Sequence, residues 1–123
     1  MANIIQQSIS VSPTGTGEVL VRHVEVHDDG IDMGGELVLE VSNAAWLADK
    51  ALEAADAWGF ARLEQPMAPD HFIVYVGGSD WQPFVHIHNL RGAAPRHGKT
   101  FTLAMTTDLA RQLGEDLKAL ADA

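Results

Sequence analysis

The chain reads as an α+β protein made of two βββα units, with antiparallel sheet and two helices packed on one face. Three observations lead there. Runs rich in β-branched residues alternate with glycine-containing turns, apolar stripes of helical period follow them, and the order of three strands and a helix comes twice. The 123 residues fit a single domain over 1–123, with pseudo-repeats over 1–59 and 65–123, and suffice to bury roughly two thirds of the unfolded surface in one core.

The elements follow in order. "NIIQQSISV" and "EVLVRHVEV" form a hairpin, because "SPTGTG" between them supplies turn chemistry. "HDDGIDMGG" breaks the pattern before "ELVLEV", where Leu37, Leu39 and Val41 alternate with Glu36, Val38 and Glu40 as in a half-buried strand. Ser42 is placed to cap a helix over 43–58, whose stripe is Leu47, Ala48, Ala51, Leu52, Ala55 and Trp58, with Gly59 closing it. A connection containing Pro66 and Pro69 leads into "HFIVYV", the turn "GGSD" and the strand "PFVHIHNL". After a loop, "TFTLAM" alternates Phe101, Leu103 and Met105, and Thr106 or Thr107 caps a final helix with Leu109, Leu113 and Leu117 on one face. An ungapped shift of 64 residues aligns the halves, pairing Val21 with Val85, Leu39 with Leu103 and Ser42 with Thr106.

"AAPRHGKT" over 93–100 fits the permissive phosphate-loop pattern. That chemistry needs a helix beginning at the Gly-Lys-Thr and a later strand to supply a carboxylate for magnesium. A strand after Thr100 removes the first, and the 23 residues that follow leave no room for the second. The stretch is expected to be a hairpin loop. Its Arg91, Arg96, His97 and Lys99 form the densest basic cluster of the chain, suited to an anion or to contact with an acidic patch on another copy.

Net charge is -9, and its placement is uneven: residues 1–64 hold eleven acids and three bases, residues 65–123 six acids and five bases. So few bases argue against a direct nucleic-acid surface, which gains affinity by replacing counterions with Lys and Arg. The absence of cysteine fits a reducing cytoplasm, and no apolar run approaches a membrane span. A partner would be basic or neutral. Asp28, Asp29 and Asp32 in a glycine-containing turn, with Glu36 and Glu40 after them, are the acids expected to face it, and Trp81 in "DWQPF" is the aromatic contact residue expected at a hairpin tip.

Chemistry has few other carriers. His23, Glu25 and His27 share one face of a strand, and His86 and His88 one face of another, so two such strands side by side would let the four histidines surround a metal. The shift of 64 sets His86 and His88 against Arg22 and Val24, on the face that Leu20 and Val26 are expected to bury, in conflict with a shared metal site. No serine stands in a nucleophile elbow, and Asp28, Asp29 and Asp32 lack the order of a calcium loop. The sequence therefore points to a non-catalytic protein-binding or regulatory module without cofactor, an inhibitor masking the basic, nucleic-acid-binding surface of a partner, with a homodimer as its simplest assembly. The alternatives are a metal-dependent enzyme using the histidines and a structural assembly subunit.

Overall fold

The computed structural model describes residues 4–30, 32–57, 61–67, 69–79, 82–90 and 101–122. Two antiparallel sheets and two helices give the α+β fold. β1 (Ile4–Pro13), β2 (Glu18–His27) and β3 (Asp32–Glu40) form a three-stranded sheet in chain order, followed by α1 (Ala44–Asp56). β4 (Leu63–Met67), β5 (Asp70–Ser79), β6 (Gln82–Asn89) and β7 (Phe101–Thr106) form a four-stranded sheet, also in chain order, followed by α2 (Thr107–Ala121).

The βββα order therefore recurs with one addition. Leu63–Met67 is a strand, not only a connection. Pro66 gives the segment a weak strand signature, and it is tolerated because β4 pairs with β5 alone and so lies at a sheet edge. β3 also begins earlier than its alternating run suggests, because Gly34 and Gly35 pair with Val24 and His23. At its other end Val41 turns into a 3-10 turn over Val41–Asn43 and is exposed, so the buried alternation stops at Leu39. Ser42 sits inside that turn. The residue before α1 is Asn43, whose side chain makes no capping bond.

α2 starts as its sequence predicts. Thr106 Oγ1 accepts a hydrogen bond from Leu109 N, and Asp108 lies in the first turn, where a negative charge meets the helix dipole favourably. Phe101–Thr106 is extended, so the segment after Thr100 is a strand and not the helix that a phosphate loop leads into; residues 91–100 themselves lie outside the described residues.

One core lies between sheets and helices. It takes Val19 and Val21 from β2, Leu37 and Leu39 from β3, Phe72 and Val74 from β5, Val85 and Ile87 from β6, and Leu103 and Met105 from β7. The helices contribute Leu47, Ala48 and Ala51 from α1 and Leu113 and Leu117 from α2. Trp46 packs on the core with its ring stacked on Phe72 at 5.5 Å. Equivalent core positions are 66 residues apart rather than 64: Val19 and Val85, Val21 and Ile87, Leu37 and Leu103, Leu39 and Met105, Leu47 and Leu113. The difference does not alter which face a strand residue occupies, since both shifts are even.

Among the described residues, no helix is long and apolar enough to cross a membrane.

Candidate functional site

Strand alternation and register place every candidate side chain. On β2 the buried positions are Val19, Val21 and His23, so Leu20, Arg22, Val24 and Val26 lie on the opposite, open face. Leu20 and Val26 are therefore not the buried set. His23, Glu25 and His27 continue the covered face: His23 is 3% exposed, its Nε2 lies 3.5 Å from Glu25 Oε1, and His27 Nε2 lies 3.1 Å from Glu25 Oε2. Burial lowers the His23 pKa and outweighs the attraction of Glu25 for its proton.

His86 and His88 belong to the other face. Val85, Ile87 and Asn89 point into the core, leaving the two histidines on the open side of the second sheet. β2 and β6 are in different sheets, so the structure does not bring the four histidines together. Among the described residues no group of three or more His, Cys, Asp or Glu is arranged to hold a metal ion.

The open face of the second sheet nevertheless carries an organised cluster. Tyr75 is paired with His86, and His86 with Ala104. In the next row Glu64 is opposite Ile73, Ile73 opposite His88, and His88 opposite Thr102. The Tyr75 ring leans across both rows. It lies parallel to His86 with centroids 4.6 Å apart and nearly parallel to His88 at 5.6 Å. The Tyr75 hydroxyl is 3.4 Å from His88 Nε2, and His88 Nδ1 is 3.1 Å from Thr102 Oγ1. A His88 tautomer that donates from Nδ1 to Thr102 satisfies both contacts, with the tyrosine hydroxyl donating to Nε2. Gly77 follows Tyr75 on the same face, where a side chain would meet the His86 ring at 3.1 Å.

Burial lowers the pKa of both histidines, and His88 is lowered further by the neighbouring His86 and by Arg62. Both are neutral near pH 7, which suits π-stacking. Beside them a depression of about 510 Å³ is lined by Arg62, Ile73, Tyr75, Val76, His88 and Leu90. Sequence reasoning pointed to the two histidines but not to Tyr75 or Arg62. Tyr75 was accessible by applying strict alternation to "HFIVYV", whereas Arg62 precedes a strand whose proline disguised it.

The acids expected to meet a partner are dispersed over the first sheet. Asp28 and Asp29 are exposed in the β2–β3 turn, where Gly30 closes the turn by donating from N to His27 O at 3.0 Å. Glu36 is exposed and pairs with Arg22 at 3.2 Å, and Glu40 is half-buried with its backbone N donating to Asp70 Oδ2. Asp32 begins β3; its side chain lies outside the described set. So do Trp58, Gly59, Trp81 and the whole basic stretch containing Arg91, Arg96, His97 and Lys99.

Comparison with models of protein families gives no match, and comparison with curated protein sequences gives none. The chemistry of the site therefore rests on its own geometry.

Proposed function

We propose that this protein is a non-catalytic binding module that presents an acidic surface to a basic protein partner, acting as an inhibitor that covers a nucleic-acid-binding surface. The observation that carries this reading is a charge excess. Sixteen acids face five bases among the described residues. Arg22 pairs with Glu36, Lys50 with Glu53, and Arg111 with Asp56 and Asp108. These pairs are exposed or half-exposed and contribute little to stability. The net negative charge acts as a field, favouring encounter with a surface of opposite sign.

The test uses a fluorescent Arg/Lys-rich peptide and a DNA duplex that the peptide binds. Anisotropy should report binding of the peptide to the protein at low salt, with affinity falling by about tenfold or more between roughly 50 and 300 mM NaCl. Added protein should release the duplex from the peptide, and Asp28→Asn with Asp29→Asn should weaken binding by about 3- to 10-fold. Absence of binding at low salt, or affinity that ignores salt, contradicts the proposal.

A further inference from the structure

The depression on the open face of the second sheet is independent of the acidic surface, and its chemistry is of another kind. Arg62 immediately precedes β4, where Leu63 is opposite Val74, so continuing the register sets Arg62 beside Tyr75. It stands at one side of the depression, with Ile73 beneath and the Tyr75–His88 stack and Leu90 around it. Ile73 is only 8% exposed although it lies on the open side.

Three features are unaccounted for by folding. First, Arg62 is an exposed cation for which no carboxylate lies within ion-pairing distance among the described residues, while Arg22 and Arg111 each have one. Its nearest candidate in sequence, Glu64, is bonded instead to His71 Nε2 at 2.8 Å. A guanidinium with no carboxylate partner among the described residues, in a chain of net charge -9, is open to a ligand anion, which it receives through two parallel hydrogen bonds. Second, three rings lie nearly parallel to one another on the open face of the sheet. A parallel stack offers a plane on which a further ring rests. Third, about 510 Å³ is within the range of small-molecule sites and is ample for a bicyclic ligand.

From this arrangement we infer that the depression binds a small planar aromatic carboxylate, with the carboxylate on Arg62 and the ring against Ile73, Leu90 and the Tyr75–His88 stack. A monoanion is favoured over a phosphate dianion, because the summed negative charge of the protein opposes each additional negative charge on the ligand. The two imidazoles, being neutral, contribute surface without competing with Arg62 for the anion.

Indole-3-acetate is a suitable probe, followed through the imidazole ¹⁵N and ¹H resonances of His86 and His88. These should shift saturably with a Kd of about 1 mM or tighter, while indole, acetate and adenosine monophosphate each require at least roughly tenfold higher concentration. Arg62→Gln should raise the Kd about tenfold, and Arg62→Lys should recover part of the loss, since the charge returns without the fork. Tyr75→Leu should weaken binding while leaving the preference for the carboxylate over indole intact. Arg62 is exposed and its charge lowers the His88 pKa, so Arg62→Gln is compared with the wild type at about pH 8, where the imidazoles are neutral in both and the melting temperature should be unchanged. Resonances that stay fixed, indole binding as well as its carboxylate, tighter binding of the nucleotide, or an unchanged Kd in Arg62→Gln would each overturn the assignment. None of these readings depends on the basic peptide, so this site and the acidic surface fail or stand separately.

Discussion

Asp70 is 2% exposed and collects hydrogen bonds from three distant places. Its Oδ2 accepts from Glu40 N at 2.9 Å and from Asn43 Nδ2 at 2.7 Å, and its Oδ1 accepts from Asn89 Nδ2 at 2.9 Å. Asn89, fully buried, also donates to Val38 O and accepts from His71 N, so one network ties the end of β3 and the start of α1 to β5 and β6. A buried acceptor surrounded by donors is expensive to replace, because every donor left behind keeps its desolvation cost. Asp70→Asn preserves volume but sets an amide against those donors. We expect it to cost about 3 kcal/mol by urea denaturation, close to Asp70→Ala. A loss of only a few tenths would mean that the network is not a structural tie. None of this was legible in the sequence, where Asp70 follows Pro69 as an ordinary connection residue: its partners lie 30, 27 and 19 positions away. The histidines were half legible. Alternation put each pair on a common face, but only packing decides that His23 is covered and His86 and His88 are not.

At the scale of elements, the two helices meet at Gly114. A Cβ there would lie 2.6 Å from Leu52 Cγ and 3.0 Å from Ala48 O, closer than packed atoms sit. In an isolated helix, alanine in place of glycine stabilises by about 1 kcal/mol. Here the crowding includes backbone of α1, so the gain is reversed. Gly114→Ala should lower unfolding free energy by about 1–3 kcal/mol in chemical denaturation, and adding Leu52→Ala should return only part of it, because Ala48 O remains. A more stable Gly114→Ala would show that the helices do not touch there. The helical periods themselves were plain in the sequence, as were six of the seven described strands and a threonine cap at 106 or 107, since each is encoded by neighbouring residues. β4 was not, because an edge strand of five residues with a proline carries the signature of a loop. Which helix faces which sheet is likewise invisible to local pattern.

That pairing governs the whole molecule. α1 follows the first sheet but rests on β5 and β6 of the second, whereas α2 follows the second sheet and rests on β1 of the first as well as on β6 and β7. Ala48 and Gly114, which are 66 positions apart like the matched core residues, meet each other where the helices cross. Each half thus lends its helix to the other, and the core is expected to unfold as one unit. Protonation in either half should therefore be felt globally. The pKa values of His23, His86 and His88 are lowered in the folded state, mainly by burial, with Glu25 opposing at His23 and Arg62 assisting at His88. Between those lowered values and the ordinary imidazole value near about 6.5, the unfolded chain holds more protons than the folded one. Stability consequently rises with pH through that window, is fully present above it, and is lost as pH falls. Carboxylates titrate mainly below about pH 5, so the interval from about 5.5 to 7.5 isolates the imidazoles. The urea midpoint should fall on acidification across that interval, by the same amount whether followed by circular dichroism or by tryptophan fluorescence. Replacing His86 and His88 together with Asn should flatten the curve, leaving the part contributed by His23. A midpoint that rises on acidification, or a double variant with the wild-type slope, would mean that these imidazoles are not held neutral by the fold.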